Sequence, residues 1–293
     1  MKDTFIFTEG YNCGLILKKC IQTYHLYHDH EINIFASQED FKHIPYHKNN
    51  TFHDICKYQD IMQSYKNGHE GTANIFSKVI NNTFTECKKI IHFDSDIVFR
   101  KESIDIILEK LNNGYDLIGP YRCYKNNLNG RTDLNDAADV VQTYIFGFNK
   151  EKIDPHPLLL FMCQGLYNPH NHPILDFFDP VSFSILKNNG NIFFLDPDDY
   201  GGMDANGNKN NKYGTLNETI DFGNKLMHFA GVGSGMSFYN NKDNKTVESY
   251  MNWAKSQYVI YQKLFYNEDF SGNYDENKYK ILKIIKAFET KNN

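Results

Sequence analysis

The sequence predicts an α/β fold: a mostly parallel sheet flanked by helices, with a helical appendage at the C-terminal end. Three observations predict it. Short β-rich runs alternate with segments of helical apolar spacing through the first half of the 293-residue chain. One run, Ile90-Ile91-His92-Phe93, is almost continuously apolar, as a strand covered on both faces must be. No internal repeat and no clear linker breaks the order, so residues 1–240 read as one domain and 241–293 as a C-terminal helical segment.

Residues 4–8 form the first strand, ended by Glu9-Gly10. Residues 14–26 form a helix through Leu15, Ile16, Cys20, Ile21 and Tyr24. Residues 31–37 form the second strand, through Ile32-Asn33-Ile34-Phe35-Ala36. Helices are expected over 54–65 and over 72–81, the latter through Ala73, Ile75, Phe76, Val79 and Ile80. Residues 89–93 form a strand that ends in Asp94-Ser95-Asp96. A helix over 103–112 stops at Asn113-Gly114, and 116–119 is a short strand. The second half is less regular. A strand is expected over 140–148 and another over 191–195. Between them Asp179-Pro180 opens a helix to Leu186, with Asp as cap and Pro in the first turn. Residues 200–214 are rich in Gly, Asn and Lys and read as a loop. Residues 227–229 run into Gly231, Gly233 and Gly235, and helices over 247–266 and 277–290 close the chain.

Composition narrows the function classes. The chain is 41% apolar before its 19 glycines are counted, which is globular. A net charge of −5 gives no basic footprint, so no nucleic-acid partner is expected. No run of 18 apolar residues occurs, so no membrane span is expected. The start, Met1-Lys2-Asp3, is unlike a signal peptide. The 6 cysteines include no CxxC pair and read as buried reduced thiols, which with the start predicts a cytoplasmic protein. The 35 asparagines reflect the bias of a viral or otherwise AT-rich coding genome and carry no chemistry.

The sharpest feature is His92-Phe93-Asp94-Ser95-Asp96. A buried strand delivers two carboxylates to its C-terminal end, and at strand period two both point the same way. Like charges held that close are costly unless a cation sits beside them. Open α/β sheets bind ligands outside the carboxyl ends of their strands. A hard divalent cation there would keep positions open for phosphate oxygens.

With these pieces the sequence resembles a nucleotide-sugar-dependent glycosyltransferase of the GT-A, Rossmann-like fold. The resemblance rests on the opening strand, on Gly68-His69-Glu70-Gly71-Thr72-Ala73 leading into a helix, on the D-x-D triplet Asp94-Ser95-Asp96, and on His228 before a Gly-rich turn. It spans about residues 1–239, so the 1–240 unit would be the catalytic domain. It implies that Asp96 binds Mn²⁺ or Mg²⁺, that Asp94 contacts the ribose or the metal, and that His228 completes the metal site. An imidazole beside carboxylates favours Mn²⁺. Gly231 and Gly233 would let backbone N–H groups approach a pyrophosphate. Phe7, Thr8, Glu9 and Tyr11, with Ser37 and Gln38, would face base and ribose. Gly71 and Thr72 open a helix whose N-terminus could face donor phosphate or sugar. If configuration inverts, a carboxylate must take the acceptor proton; Asp179 is the first choice and Asp176 the second.

The expected reaction is therefore sugar transfer from a nucleotide donor, UDP-linked ahead of GDP-linked, to a hydroxyl on a glycan, lipid, protein or small molecule. The alternatives are a sugar-1-phosphate nucleotidyltransferase and a non-catalytic nucleotide- or glycan-binding protein. The first normally carries a basic Gly-rich loop after its first strand, whereas residues 9–14 here contain no Lys or Arg. The C-terminal helices could pair two copies into a homodimer.

Overall fold

The computed structural model describes residues 3–66, 71–99, 101–122, 140–141, 144–153, 181, 185, 188–195 and 226–228. Ten strands and five α-helices occur among them: β1 (Thr4–Gly10), α1 (Gly14–Tyr27), β2 (Ile32–Ala36), α2 (Gln38–Phe41), β3 (Asn50–Asp54), α3 (Gln59–Lys66), α4 (Gly71–Ile80), β4 (Lys89–Phe93), β5 (Ile97–Phe99), α5 (Ile104–Asn112), β6 (Leu117–Arg122), β7 (Val140–Val141), β8 (Ile145–Asn149), β9 (Ile192–Leu195) and β10 (Leu226–His228).

Eight strands form one sheet in the order β3-β2-β1-β4-β8-β6-β7, with β9 also on β6. Strands β3, β2, β1 and β4 run parallel. β8 runs antiparallel to both β4 and β6, β7 antiparallel to β6, and β9 parallel to β6. The expected α/β class, a mostly parallel sheet flanked by helices, is the class observed. On one face Ile6, Ile34, Ile91, Phe93 and Ile118 pack against α1 and α5. On the other Phe5, Phe7, Phe35, Ile90 and Phe146 pack against α3 and α4. This double cover is why the strands read as unbroken apolar runs rather than as alternation.

Chain order fixes where a ligand can bind. β1, β2 and β3 step outward to one edge; the chain then returns to lay β4 on the other side of β1. The crevice between the carboxyl ends of β1 and β4 is thus a topological switch point, the place open α/β sheets use for ligands.

Three sequence expectations change. The helix expected over 54–65 begins at Gln59; Asp54 instead ends the edge strand β3, which pairs with β2 from Ile32↔Asn50 to Ala36↔Asp54. Asp54 then caps a short 3₁₀ turn by accepting from the Cys56 N–H at 3.0 Å. The strand expected over 140–148 is two strands with a turn at Tyr144. The Asp94-Ser95-Asp96 triplet is not a strand extension either: β4 stops at Phe93 and a turn leads into β5, which sequence reading missed. Of the helix expected from Pro180, Val181 and Ile185 are described, helical and fully buried. The segment 241–293 lies outside the described residues.

Among the described residues, no helix is long and apolar enough to cross a membrane. Of the described cysteines, Cys13 and Cys20 are buried, Cys87 is partly buried and Cys56 is exposed. Burial pushes both buried thiols well above the usual range, which leaves them protonated and unreactive.

Candidate functional site

The site begins where β4 ends. The Asp94 N–H donates to the Tyr144 carbonyl at 2.8 Å, and the Ile97 N–H turns back to the Asp94 carbonyl at 3.4 Å. This turn brings both carboxylates to one side, which strand alternation alone would not have done once β4 had stopped. β5 then pairs antiparallel with β10, placing His228 opposite Ile97 and Leu226 opposite Phe99. β5 is anchored from behind: the Phe99 N–H donates to Thr23 Oγ1 at 3.0 Å, and the Phe99 ring packs edge-on against Tyr24 and Phe93.

The result joins residues far apart in sequence. His228 Nε2 lies 3.3 Å from Asp96 Oδ1 and 3.6 Å from Asp94 Oδ2. One ligand atom from each of Asp94, Asp96 and His228 lies within 4.8 Å of the others. Asp96 and His228 are buried, while Asp94 keeps 30% of its side chain exposed, so the group opens to solvent on the Asp94 side. Burial pushes the Asp94 carboxyl up to about 6, against the pull of His228 and His92. Burial alone would lower His228, but the carboxylates, Asp96 first, outweigh it and raise the imidazole to about 9. Two acids are thus balanced by one cationic ring, a charge arrangement that a divalent cation can take over.

A second polar group adjoins the first. Glu9, at the end of β1, places Oε2 2.6 Å from His92 Nε2 and accepts from the Thr72 hydroxyl at Oε1, 3.0 Å away. Phe7 and His92 are register partners of β1 and β4, so Glu9, His92 and Asp94 all face the α4 side of the sheet. Glu9, His92 and Asp94 also lie within ligand distance of one another. The first two already engage each other directly, while His92 Nε2 stays 3.9 Å from Asp94 Oδ1.

The remaining sequence candidates are placed as follows. Phe7 has no exposed surface; its ring packs on Phe35, Phe76 and His92, which leaves no face for a base. Thr8 is fully buried on the α1 side of the sheet. Glu9 meets the Thr72 hydroxyl at Oε1 and His92 Nε2 at Oε2. Tyr11 is partly buried in the loop after β1. That loop is held shut by Asp40, whose Oδ2 accepts from the Asn12 N–H at 3.1 Å and the Ser37 hydroxyl at 2.6 Å. Asn12 there has φ 58°. Gly71 and Thr72 open α4 as expected, and both are buried. Ser95 is buried, its Oγ accepting from the Cys13 thiol at 3.7 Å. Asp176, Asp179, Gly231 and Gly233 lie outside the described residues.

Sequence reading missed two participants, the Glu9–His92 contact and Tyr144. A histidine inside an apolar strand, on the same face as Asp94, was the available signal for the first. Tyr144 carried no signal of its own.

No family model matches the chain, and no curated protein sequence matches it. Solved structures of similar course include a galactosyltransferase, LgtC, in complex with donor and acceptor sugar analogs. It is 12% identical with a TM-score of 0.48, over 94% of this chain and 99% of that one. Mouse xyloside xylosyltransferase 1 in its apo form is 13% identical, with a TM-score of 0.43, over 66% of this chain and 85% of that one. The 4-diphosphocytidyl-2C-methyl-D-erythritol synthase of Anaerococcus prevotii DSM 20548 is 12% identical, with a TM-score of 0.40, over 65% and 87%. Likeness at this level decides neither substrate nor reaction.

Proposed function

We propose that the protein is a metal-dependent glycosyltransferase that moves a sugar from a nucleotide-sugar donor to a hydroxyl acceptor. One observation carries the reading: Asp94, Asp96 and His228 converge beside the crevice between β1 and β4. Two carboxylates and an imidazole suit Mn²⁺ over Mg²⁺, since nitrogen is a poor ligand for the harder ion. Asp94, Asp96 and His228 would hold the ion, which when bound would supply charge neutralisation for a departing nucleoside diphosphate.

The chain's own residues divide the remaining work. Asp96 and His228 supply the buried ligands and Asp94 the exposed one that meets the donor. Glu9, through Thr72 and His92, ties the ends of β1, β4 and α4 together. Tyr11 on its pinned loop is the proposed partner of the base, UDP ahead of GDP. Gly231 and Gly233 are proposed to approach the diphosphate. If configuration inverts, Asp179 is the proposed base and Asp176 the alternative.

Donor turnover tests the reading. With Mn²⁺ present, release of UDP or GDP from a panel of nucleotide sugars is expected from the wild type and lost in Asp96→Ala, with the fold retained. Undiminished turnover by that variant overturns the assignment. Thermal shift gives an independent check. A diphosphate at a hundredfold excess over its Kd stabilises by about 2.7 kcal/mol. That shift should need Mn²⁺.

A further inference from the structure

Tyr144 touches two of the three candidate ligands from outside the set. Its carbonyl accepts the Asp94 N–H at 2.8 Å, fixing the turn that presents the carboxylate. Its ring lies against His228 with centroids 4.4 Å apart and planes 13° from parallel. Only 3% of the residue is exposed. The ring also belongs to the apolar cluster that holds Phe93, Ile97 and Leu226.

His228 needs such a brace. It sits at the end of a three-residue strand in a two-stranded ribbon, and a ribbon of that size holds a side-chain plane poorly by itself. A ligand imidazole must present its nitrogen along a narrow direction, and the groups that orient ligands affect affinity strongly. The phenol hydroxyl is buried and, among the described residues, makes no hydrogen bond; the contact with His228 is made by the ring.

We propose that Tyr144 is the positioning residue of the cation site. Its flat face sets the plane of the His228 imidazole, while its carbonyl sets the position of Asp94. The proposal rests on reading Asp94, Asp96 and His228 as cation ligands. It predicts that Tyr144→Phe keeps the site, since the face remains, and that Tyr144→Leu does not, since a branched aliphatic chain gives no flat surface.

The test is Mn²⁺ titration of the purified protein, followed by electron paramagnetic resonance of the free ion. Tyr144→Phe is expected to bind within about threefold of wild type, and Tyr144→Leu roughly 10–100-fold more weakly. In a His228→Ala background the Leu substitution should add nothing, because its effect passes through the imidazole. Wild-type affinity in Tyr144→Leu overturns the proposal, and so does an equal further loss on top of His228→Ala. A wild type that binds no Mn²⁺ overturns the cation reading itself, a different result from a bound ion indifferent to residue 144. Should the Leu variant not fold, NMR of the metal-free protein decides. The His228 Hε1 resonance is expected at a ring-current-shifted position in wild type and Tyr144→Phe alike. An unshifted resonance in both removes the stack and the proposal with it.

Discussion

Acid should weaken this fold through a residue remote from the cation site, His28. It follows α1, where its N–H donates to the Tyr24 carbonyl at 2.9 Å, and its side chain has no solvent exposure. Nε2 accepts the Ser103 N–H at 3.5 Å, and the ring packs on Tyr24 and Phe99. Burial lowers the imidazole to about 4, against the pull of Asp105, whose Oδ2 lies 3.6 Å from Nδ1. In the unfolded chain it titrates near 6.5. Between those values the unfolded state holds a proton that the native state refuses. Stability from this group is therefore full above about pH 6.5 and falls as the pH drops towards 4, then levels off. At about 1.4 kcal/mol per pH unit the loss is on the order of 3 kcal/mol, against a typical total of 5–15 kcal/mol. The assay is urea denaturation of wild type and His28→Leu at several pH values from 7.5 to 4. The substitution adds a constant offset from its lost contacts; the pH-dependent part is the signal. The variant's stability should decline less steeply by that amount between pH 6.5 and 4. Parallel curves for the two proteins would show that the buried ring is not resisting protonation, and the reasoning fails.

Other outcomes follow from the same geometry. Mn²⁺ binding should release a proton near neutral pH, because His228 is held up to about 9 and must be neutral to act as a ligand; affinity then rises roughly tenfold per pH unit between about 6, where Asp94 also titrates, and about 9. Calorimetry in two buffers of different ionisation enthalpy reads the release directly, and equal heats would contradict it. Gly147→Ala should cost ~1–3 kcal/mol in a urea titration, because its new methyl would overlap Ile107 and crowd Leu111 where α5 rests on β8. A neutral result would mean that α5 can lift from the sheet. Glu9→Leu removes the 2.6 Å partner of the fully buried His92 and should cost about 3 kcal/mol, while Glu9→Leu with His92→Phe should recover most of it. Additive losses would show that the two side chains are not energetically paired.

The parts of the fold that were legible are those where one residue type has one reason to be present. Ile90-Ile91-His92-Phe93 could only be a covered strand, and the β-α-β order that follows from it put the switch point where it is. Strand β3 was not legible because Thr51, Phe52 and His53 are only partly covered at a sheet edge, so they show neither an apolar run nor strict alternation. β5 was hidden because Ile97-Val98-Phe99 so closely follows the acidic triplet that the run reads as a continuation rather than a new strand. Its partner β10 lies far along the chain, and pairing between distant segments leaves no local pattern.

The site divides along the same line. Asp94, Asp96 and His228 stood out by identity, since acids beside a buried strand and a histidine before glycines are costly without a ligand or partner. Glu9 was visible as a residue at the end of β1, but what faces it was not. In a parallel sheet, aligned residues share a face, so the Phe7↔His92 register puts Glu9 level with Asp94 and within reach of His92. That register depends on which strand comes back beside β1, which is a matter of topology. Tyr144 is harder still, as one of 20 tyrosines with no charge, meeting the candidate ligands through a ring face and a carbonyl. A ligand is recognised by the chemistry it brings, but a residue that aims a ligand can be almost any shape that fits. It is recognised only when the atom it steers is on the page, so the residues that set such a site's precision are the last a sequence yields.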